Sequence, residues 1–429
     1  MSKTCLSYRC LPVGFVVCLL ATVSSAQTVA SSDQTSWVFD THTPGPCSPT
    51  GALHGGCPPG ELVRIRVVTV AYGLVRPWHI TFLPGGTDML VTELPGSLRI
   101  VRDGKLDPEP IAGWPDDALR SRSLNSVVLH PDFERNRGVY LSYVKQGEGA
   151  NTTIALAQGR FDGSAVTDLE DVFVADAWGT GATAGRAEVG PDGMIYLTVG
   201  DRDAGNLTDD PSYRMLAQRL DSHVGKILRL RDDGTAPDDN PFVGRADAKP
   251  EIYSYGHRNA QGLAWHPDTG ELWATEIGPM GGDELNRIVP GGNYGWPLVS
   301  LGKIYTGNLA SEQSWWRPGI EMPVMFWAPA ISPSSLLIYD GERFPLWRGN
   351  YFIGGLNGQQ LQRVAFDQPL QAERRESLLV PLDVRVRDVR LGPDGYLYLA
   401  VSRDQQLGPG SARLTPNGSI LRIEPVEQD

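Results

Sequence analysis

The chain has 429 residues, is 41% hydrophobic and carries a formal net charge of −12. It can bury a large core, and its acidic balance argues against a nucleic-acid partner. The length admits one large domain or two to three ordinary ones.

Residues 1–26 read as an export signal: Lys3 and Arg9 precede an apolar stretch from Leu11 to Leu20, and Ser24, Ser25 and Ala26 form a small-residue cleavage site. The apolar run is too short to span a bilayer and no second one follows, so the mature chain is expected to be secreted or periplasmic with no membrane span. Bulky Val17 argues against lipid attachment at Cys18. Cleavage removes Lys3 and Arg9 from the 38 basic residues, leaving 36 against 50 acidic ones, or −14. It also removes Cys5, Cys10 and Cys18. The remaining Cys47 and Cys57 close a Pro/Gly-rich loop and are expected to form a disulfide that staples an N-terminal extension, residues 27–62, to the body. Closing so short a loop would contribute roughly 2–3 kcal/mol.

From there a phrase recurs in which a Pro/Gly/Asp turn feeds an alternating apolar run. Copies start at Leu83, His130, Gly190, His266 and Gly392, with a divergent sixth at Phe344. The turn residues supply the backbone angles of tight hairpins, and the alternating Tyr, Leu and Val suit a pleated, half-buried strand. Six such units at periods near 50 to 75 residues, with few helical patterns, predict an all-β, six-bladed β-propeller over residues 63–429. Two packed sandwiches are the alternative. The long stretches 201–255 and 298–340 are expected to be loops on one face, where sites usually lie. Aromatic residues such as Trp315, Trp316 and Trp327 in the second stretch could serve packing or recognition.

The segment from Gly256 to Pro297 concentrates the chemistry: Gly-His-Arg-Asn at 256–259, Glu-Ile-Gly-Pro at 276–279, Gly-Gly-Asp-Glu at 281–284 and Asn-Tyr-Gly-Trp-Pro at 293–297. A forked cation, an amide, carboxylates and bare carbonyls within forty residues are what an anionic ligand beside a hard cation requires. Arg385 and Arg387, two apart on a predicted strand, are expected to face the same side and so to need an anion. Taken alone, Arg258 fits a salt bridge between blades better than a ligand contact, and Asp283 and Glu284 also fit a solvated acidic loop. His257 and His223 read as structural.

In these strings, and in Leu129–Phe133, Asp201-Arg202, Gly225–Arg229, Asp239–Phe242 and Arg385–Val389, the chain resembles the soluble PQQ-dependent glucose/sorbosone dehydrogenases, also called aldose sugar dehydrogenases, from about residue 66 to 426. The resemblance implies a propeller whose axial cavity holds pyrroloquinoline quinone (PQQ), a planar tricarboxylate, with Ca²⁺ polarising its reactive carbonyl. It carries cofactor contacts onto Arg258, Asn259, Arg385 and Arg387, and with altered residue types onto Ser121 and Asn357. The main-chain carbonyls of Gly278 and Pro279 match the cofactor's calcium site, and Asp283, Glu284 and Tyr294 a second calcium site near a subunit interface, which leaves a homodimer open. The expected partners are a sugar-like small molecule and an electron acceptor that the sequence does not identify.

The sequence also departs from that family. The histidine that takes the substrate proton opens a His-Phe-Gly-Gly-Arg string, which here is Ala182-Thr183-Ala184-Gly185-Arg186. Alanine takes no proton, and losing a positioned base typically costs about 10²- to 10⁴-fold in rate. His79, at the mouth of the first repeat's inner strand, is the first candidate replacement and Glu276 the second. Two other readings stay open: a calcium-dependent hydrolase or lyase, to which Arg122 could bind a substrate carboxylate, and a non-catalytic propeller that captures a sugar or a protein. No glycine-rich dinucleotide signature points to nicotinamide.

Overall fold

Each of the six turn phrases becomes the hairpin between the first and second strands of one four-stranded unit. In the computed structural model, which describes residues 27–31, 34–43, 61–114, 123–181, 183–203, 212–311, 315–367, 372–403 and 417–426, the first strands are Pro77–Phe82, Leu124–Leu129, Ala184–Val189, Ala260–Trp265, Pro333–Ile338 and Arg385–Leu391. These six neighbour one another in a closed ring, the sixth returning to the first. They line the axis of a six-bladed β-propeller, and we number the blades in this order. The ring is closed by sequence ends: Glu61–Leu74 pairs with Gly418–Pro425 inside blade 6, so the N-terminal segment supplies that blade's fourth strand. Gln34–Thr43 and Gln27–Ser31 extend the same sheet outward. Cys47, Cys57 and the segment read as an export signal lie outside the described residues.

Apolar packing follows the same geometry. The six buried clusters each fall between two neighbouring blades: Leu90, Leu98 and Val127 with Leu141 between blades 1 and 2, for example, and Trp347, Phe352 and Leu399 with Ile65 between blades 5 and 6. A lone blade has both faces apolar and nothing to bury them against, so radial stacking is the arrangement that removes them from water.

The expectation that 201–255 and 298–340 are wholly loops is corrected. Lys226–Leu230 and Ile252–Tyr255 are the outer strands of blade 3, Met325–Trp327 is the outermost strand of blade 4 and Pro333–Ile338 opens blade 5. Trp327 is core, while Trp315 and Trp316 are exposed.

All six inner strands carry a register irregularity near their start, around Trp78, Asn125, Gly185-Arg186, Gln261, Ser334 and Arg387. Such bulges re-aim side chains beside sites. In blade 3 the Thr198 hydroxyl accepts both N–H groups of the bulge, from Gly185 at 3.2 Å and Arg186 at 2.9 Å. The bulge turns Arg186 into the hub. Its guanidinium donates to Gln261 O of blade 4 (2.8 Å) and Ser334 O of blade 5 (2.7 Å), and pairs with Asp388 of blade 6 (3.2 Å). Asp388 also accepts from Arg390 Nε (2.9 Å) and from the Ile80 N–H of blade 1 (2.8 Å). Arg390 continues to Glu188 and His79, which fills the hub with an alternating set of charges.

His79 is therefore not at the mouth of its strand as a free base. It is 1% exposed and packed among Glu188, Arg390 and the Thr81 hydroxyl. Burial, reinforced by Arg390, pushes its pKa down from 6.5 to about 4, which keeps the imidazole neutral. The unfolded chain then binds a proton that the folded one refuses, so stability is full above pH 6.5 and falls as the pH drops toward 4. Over that window the loss from this group is expected to be about 3 kcal/mol. Denaturant titrations of the wild type against His79→Gln should show the variant losing less stability between pH 7 and 4.

Candidate active site

The loops that precede the inner strands share one end of the axis, and the sequence-predicted residues of blades 4, 5 and 6 meet there. Arg258 lies just before the inner strand of blade 4. Its Nη1 donates to the carbonyls of Ile277 (2.7 Å) and Gly278 (2.8 Å), and its guanidinium lies 5.6 Å from the ring centre of Trp296. The Gly278 carbonyl thus faces a positive charge. The same residue is held on its other side, because the Gly278 N–H donates to Asp283 Oδ1 at 2.8 Å. Asp283 Oδ2 accepts the N–H groups of Ile331 and Ser332, each at 2.7 Å. Ser332 Oγ accepts from Asn357 Nδ2 (2.7 Å), and Asn357 Oδ1 accepts from Arg385 Nη1 (3.3 Å). A continuous hydrogen-bonded path therefore runs from Arg258 through Gly278, Asp283, Ser332 and Asn357 to Arg385, fixing two guanidinium groups at one end of the hub.

Arg387 does not follow the simple alternation expected of it. It is the extra residue of the blade 6 bulge, since Val386 pairs with Val401 and Asp388 with Ala400. It is buried, donates Nε–H to the Ser402 hydroxyl at 2.8 Å and lies over Trp78 at 5.7 Å. Asn259 accepts from Gln261 Nε2 at 3.0 Å.

Glu276 is committed to holding the 256–259 turn. Its carboxylate accepts the Arg258 N–H (2.9 Å) and Asn286 Nδ2 (3.1 Å) and is hydrogen-bonded to His257, whose other nitrogen lies 2.8 Å from Ser254 Oγ. His257 also stacks on Tyr294 at 4.6 Å. Burial opposes ionisation of Glu276, but His257 and these donors hold its pKa below the usual value. His223 is similarly engaged, accepting the Asp176 N–H at 2.9 Å with Glu251 on its far side.

Glu284 sits directly opposite Glu276 in the blade 4 register, and both line a cavity of about 20 Å³ with Arg258, Gly278, Pro279, Tyr294, Trp296 and Ser300. Burial and the facing charge of Glu276 push Glu284 up to about 8. Asp283, by contrast, spends its carboxylate on three backbone N–H groups, and the Tyr294 hydroxyl is taken by Arg287 O and the Val289 N–H. The three expected ligands of a second cation are thus not gathered by their side chains. Among the described residues no cluster of three or more His, Cys, Asp or Glu is arranged to hold a metal. Ser121, Arg122 and Ala182 lie outside the described residues.

Asp201, which the sequence offers only within a family string, is a charged group that the fold buries beside Arg258. It is fully buried, its Oδ2 has no hydrogen-bond partner among the described residues, and Trp296 Nε1 is likewise buried without one. The indole is close enough to favour the carboxylate's charge. Burial pushes Asp201 up to about 6, against the pull of Arg258. Its main chain is fixed: the Asp201 N–H donates to Arg258 O at 2.8 Å. Arg202, beside it in the left-handed region (φ 58°), turns back to donate to the carbonyls of Ala177, Gly179, Gly181 and Thr152, pinning the loop that leads to position 182. The sequence signal was there in the adjacent Asp-Arg pair, but adjacency does not say which charge finds partners.

The chain matches the family model described as Glucose / Sorbosone dehydrogenase over residues 74–408. Among its relatives are the uncharacterised protein slr1608 of Synechocystis, 41% identical over 375 residues (84% of this chain and 87% of that protein), and the aldose sugar dehydrogenase YliI of Escherichia coli, 35% identical over 367 residues (84% and 93%). A solved structure titled as the PQQ-bound form of an aldose sugar dehydrogenase from Streptomyces coelicolor superposes with a TM-score of 0.65 at 29% identity, covering 83% of this chain and 96% of the other. On its fold, its ordered motifs and these similarities, the chain belongs to the glucose/sorbosone dehydrogenase family.

Proposed function

We propose that the chain is an exported, PQQ- and calcium-dependent dehydrogenase that oxidises a sugar or a related alcohol or aldehyde. The observation that carries this reading is the path from Arg258 to Arg385, which links two forked cations and the Gly278 carbonyl at one end of the axis. The residues fit the cofactor. Guanidinium forks match carboxylates bidentately, and the Gly278 carbonyl, clamped by Asp283 and already turned toward a cation, is the kind of neutral donor a hard ion accepts. Arg258, Arg385, Arg387, Asn259 and Asn357 would hold PQQ, with the Gly278 and Pro279 carbonyls on its calcium.

When bound, PQQ supplies a two-electron acceptor for hydride. The protein's own work is positional and electrostatic. Arg258 and Arg385 orient the ligand and offset its charge, Trp296 walls one side, and Glu276 with His257 keeps the Arg258 turn from shifting. Among the described residues no helix is long and apolar enough to cross a membrane.

The test adds PQQ and Ca²⁺ to purified apoprotein and follows the quinone absorbance with a panel of aldoses and sugar alcohols. Bound cofactor that bleaches with at least one of them is expected. Bound cofactor that bleaches with none would remove the enzymatic part of the reading, and no binding would remove all of it.

A further inference from the structure

Between the third and fourth strands of blade 4, Asp283–Ile288 and Met325–Trp327, the chain makes a long excursion that rises along the outer edge of blade 3. Asn293 bridges in parallel with Tyr255, the last residue of that edge strand: the Tyr255 N–H donates to Gly292 O (3.0 Å) and the Tyr294 N–H to Tyr255 O (2.8 Å). The next rung, from the Trp296 N–H to Gly256 O at 2.8 Å, brings Trp296 to the wall it shares with Arg258. One side chain of blade 3 closes over this junction. Gln218 ends the 3₁₀ turn Arg214–Gln218 and forms a reciprocal amide pair with Asn293, its Nε2 donating to Asn293 Oδ1 (3.0 Å) and its Oε1 accepting from Asn293 Nδ2 (2.8 Å). Gln218 Nε2 also donates to Trp296 O at 2.7 Å. The pair sits over Gly256, which is in the left-handed region (φ 76°) and has no room for a side chain: an added Cβ would lie 2.3 Å from Asn293 Oδ1 and 2.8 Å from Gln218 Nε2. The turn beneath Gln218 is itself held, since Ala217 O accepts the Gly256 N–H (3.0 Å) and Nζ of the buried Lys226 (2.9 Å).

We propose that Gln218 is a positioning residue of the cofactor site, setting the Trp296 ring against Arg258 by holding the Trp296 main chain. This deepens the dehydrogenase reading above and rests on it. Three segments meet at the Gln218 amide: its own turn, the 256–259 turn that carries Arg258, and the 293–297 turn that carries Trp296. The Trp296 peptide groups are gripped on both sides, the N–H by Gly256 O and the carbonyl by Gln218, while the Arg258 guanidinium lies 5.6 Å from the ring centre. Gln218 is not among the residues lining the cavity beside Arg258, and Trp296 is, so the amide acts on that cavity through Trp296. Hydrogen bonds fix direction as well as distance, and a site must hold its groups within about 0.5 Å of the productive geometry. An apolar side chain at 218 would leave Trp296 O and Asn293 Nδ2 without their partner. Asn293 Oδ1 would still accept the Gly295 N–H at 3.0 Å, so the 293–297 turn persists while its register against blade 3 loosens.

The test compares Gln218→Met, which keeps the length and removes the hydrogen bonds, with Thr41→Val, which removes a buried hydrogen bond to Val63 O at the far edge of blade 6. Gln218→Asn, whose amide is too short to reach both partners, stands in should the first variant fold poorly. In apoprotein labelled with fluorotryptophan, the ¹⁹F line of Trp296, assigned by its loss in Trp296→Phe, should shift in the Gln218 variant and stay in place in Thr41→Val. With PQQ titrated at fixed calcium, the Gln218 variant should raise Kd about 10-fold, and Thr41→Val should leave it at the wild-type value. In a Trp296→Phe background the same Gln218 substitution should add no more than about twofold, because the two residues act as one unit. An unmoved Trp296 line, an unchanged Kd, an equal loss in Thr41→Val, or a full further loss in the Trp296→Phe background would each overturn the proposal. If the wild type binds no PQQ, the dehydrogenase reading falls and takes this role with it. Wild-type binding of PQQ with the Trp296 line unmoved by the Gln218 substitution removes this inference alone.

Discussion

Asp388→Ala is expected to destabilise the protein by about 3–5 kcal/mol, the usual cost of removing one partner from a buried ion pair. The size follows from what is left behind. Arg186 and Arg390 both pair with Asp388, at 3.2 and 2.9 Å, and Arg186 is 1% exposed. Without that carboxylate, Glu188 alone faces two guanidinium groups in the hub. Asp388 also accepts the Ile80 N–H, so blade 1 loses one of its ties to blade 6 in the same stroke. Burial disfavours the ionised carboxylate, but Arg390 and Arg186 hold Asp388 below the usual carboxylate range, as expected of a charge the fold depends on. Chemical denaturation of Asp388→Ala against the exposed-pair variant Asp221→Ala makes the comparison. Asp221 pairs with Arg219 at the surface, where ion pairs are screened, and its removal should leave the midpoint unchanged. Equal effects in the two variants would show that the hub charges are not what binds the blades at the axis.

Arg258→Met should weaken PQQ binding by about 2–5 kcal/mol, the range for deleting one side of a hydrogen-bonded charge pair, or about 30- to 5,000-fold in Kd. Arg258→Lys should fall between the variant and the wild type, because the point charge remains while the fork is lost. The carbonyls of Ile277 and Gly278 lose their donor in Arg258→Met, so calcium should now compete less with the protein for Gly278 O. Titration of PQQ into each apoprotein at fixed calcium reads the effect directly. An unchanged Kd in Arg258→Met would mean that the guanidinium serves the loop alone.

The propeller was legible because its signal is repeated six times. A turn of Pro, Gly and Asp followed by an alternating run states both a hairpin and a half-buried strand, and each copy became the second strand of a blade. The third and fourth strands of blade 3 and the short outer strand of blade 4 were read as loop, since Met325–Trp327 is only three residues and Lys226–Leu230 follows no turn of the repeated kind. At the site, Arg258, Gly278, Asn357 and Arg385 could be found from the family strings, and they come together through Asp283 and Ser332. What the sequence could not express was the bulge at the start of each inner strand. One extra residue removes the two-residue alternation on which the pairing of Arg385 with Arg387 relied, and it turns Arg186 into the hub. His79 was misplaced for the same reason: position near a strand start does not report depth along the axis. The burial of Asp201 beside Arg258 is likewise not written in the Asp-Arg pair that contains it.

If the path from Arg258 to Arg385 seats a planar tricarboxylate, a crystal structure of the protein loaded with PQQ and Ca²⁺ will show it. Cofactor carboxylates are expected within hydrogen-bond distance of Arg258 and Arg385, with Gly278 O turned onto the calcium ion. Cofactor absent from this end of the axis, or bound there with both arginines directed elsewhere, would contradict it.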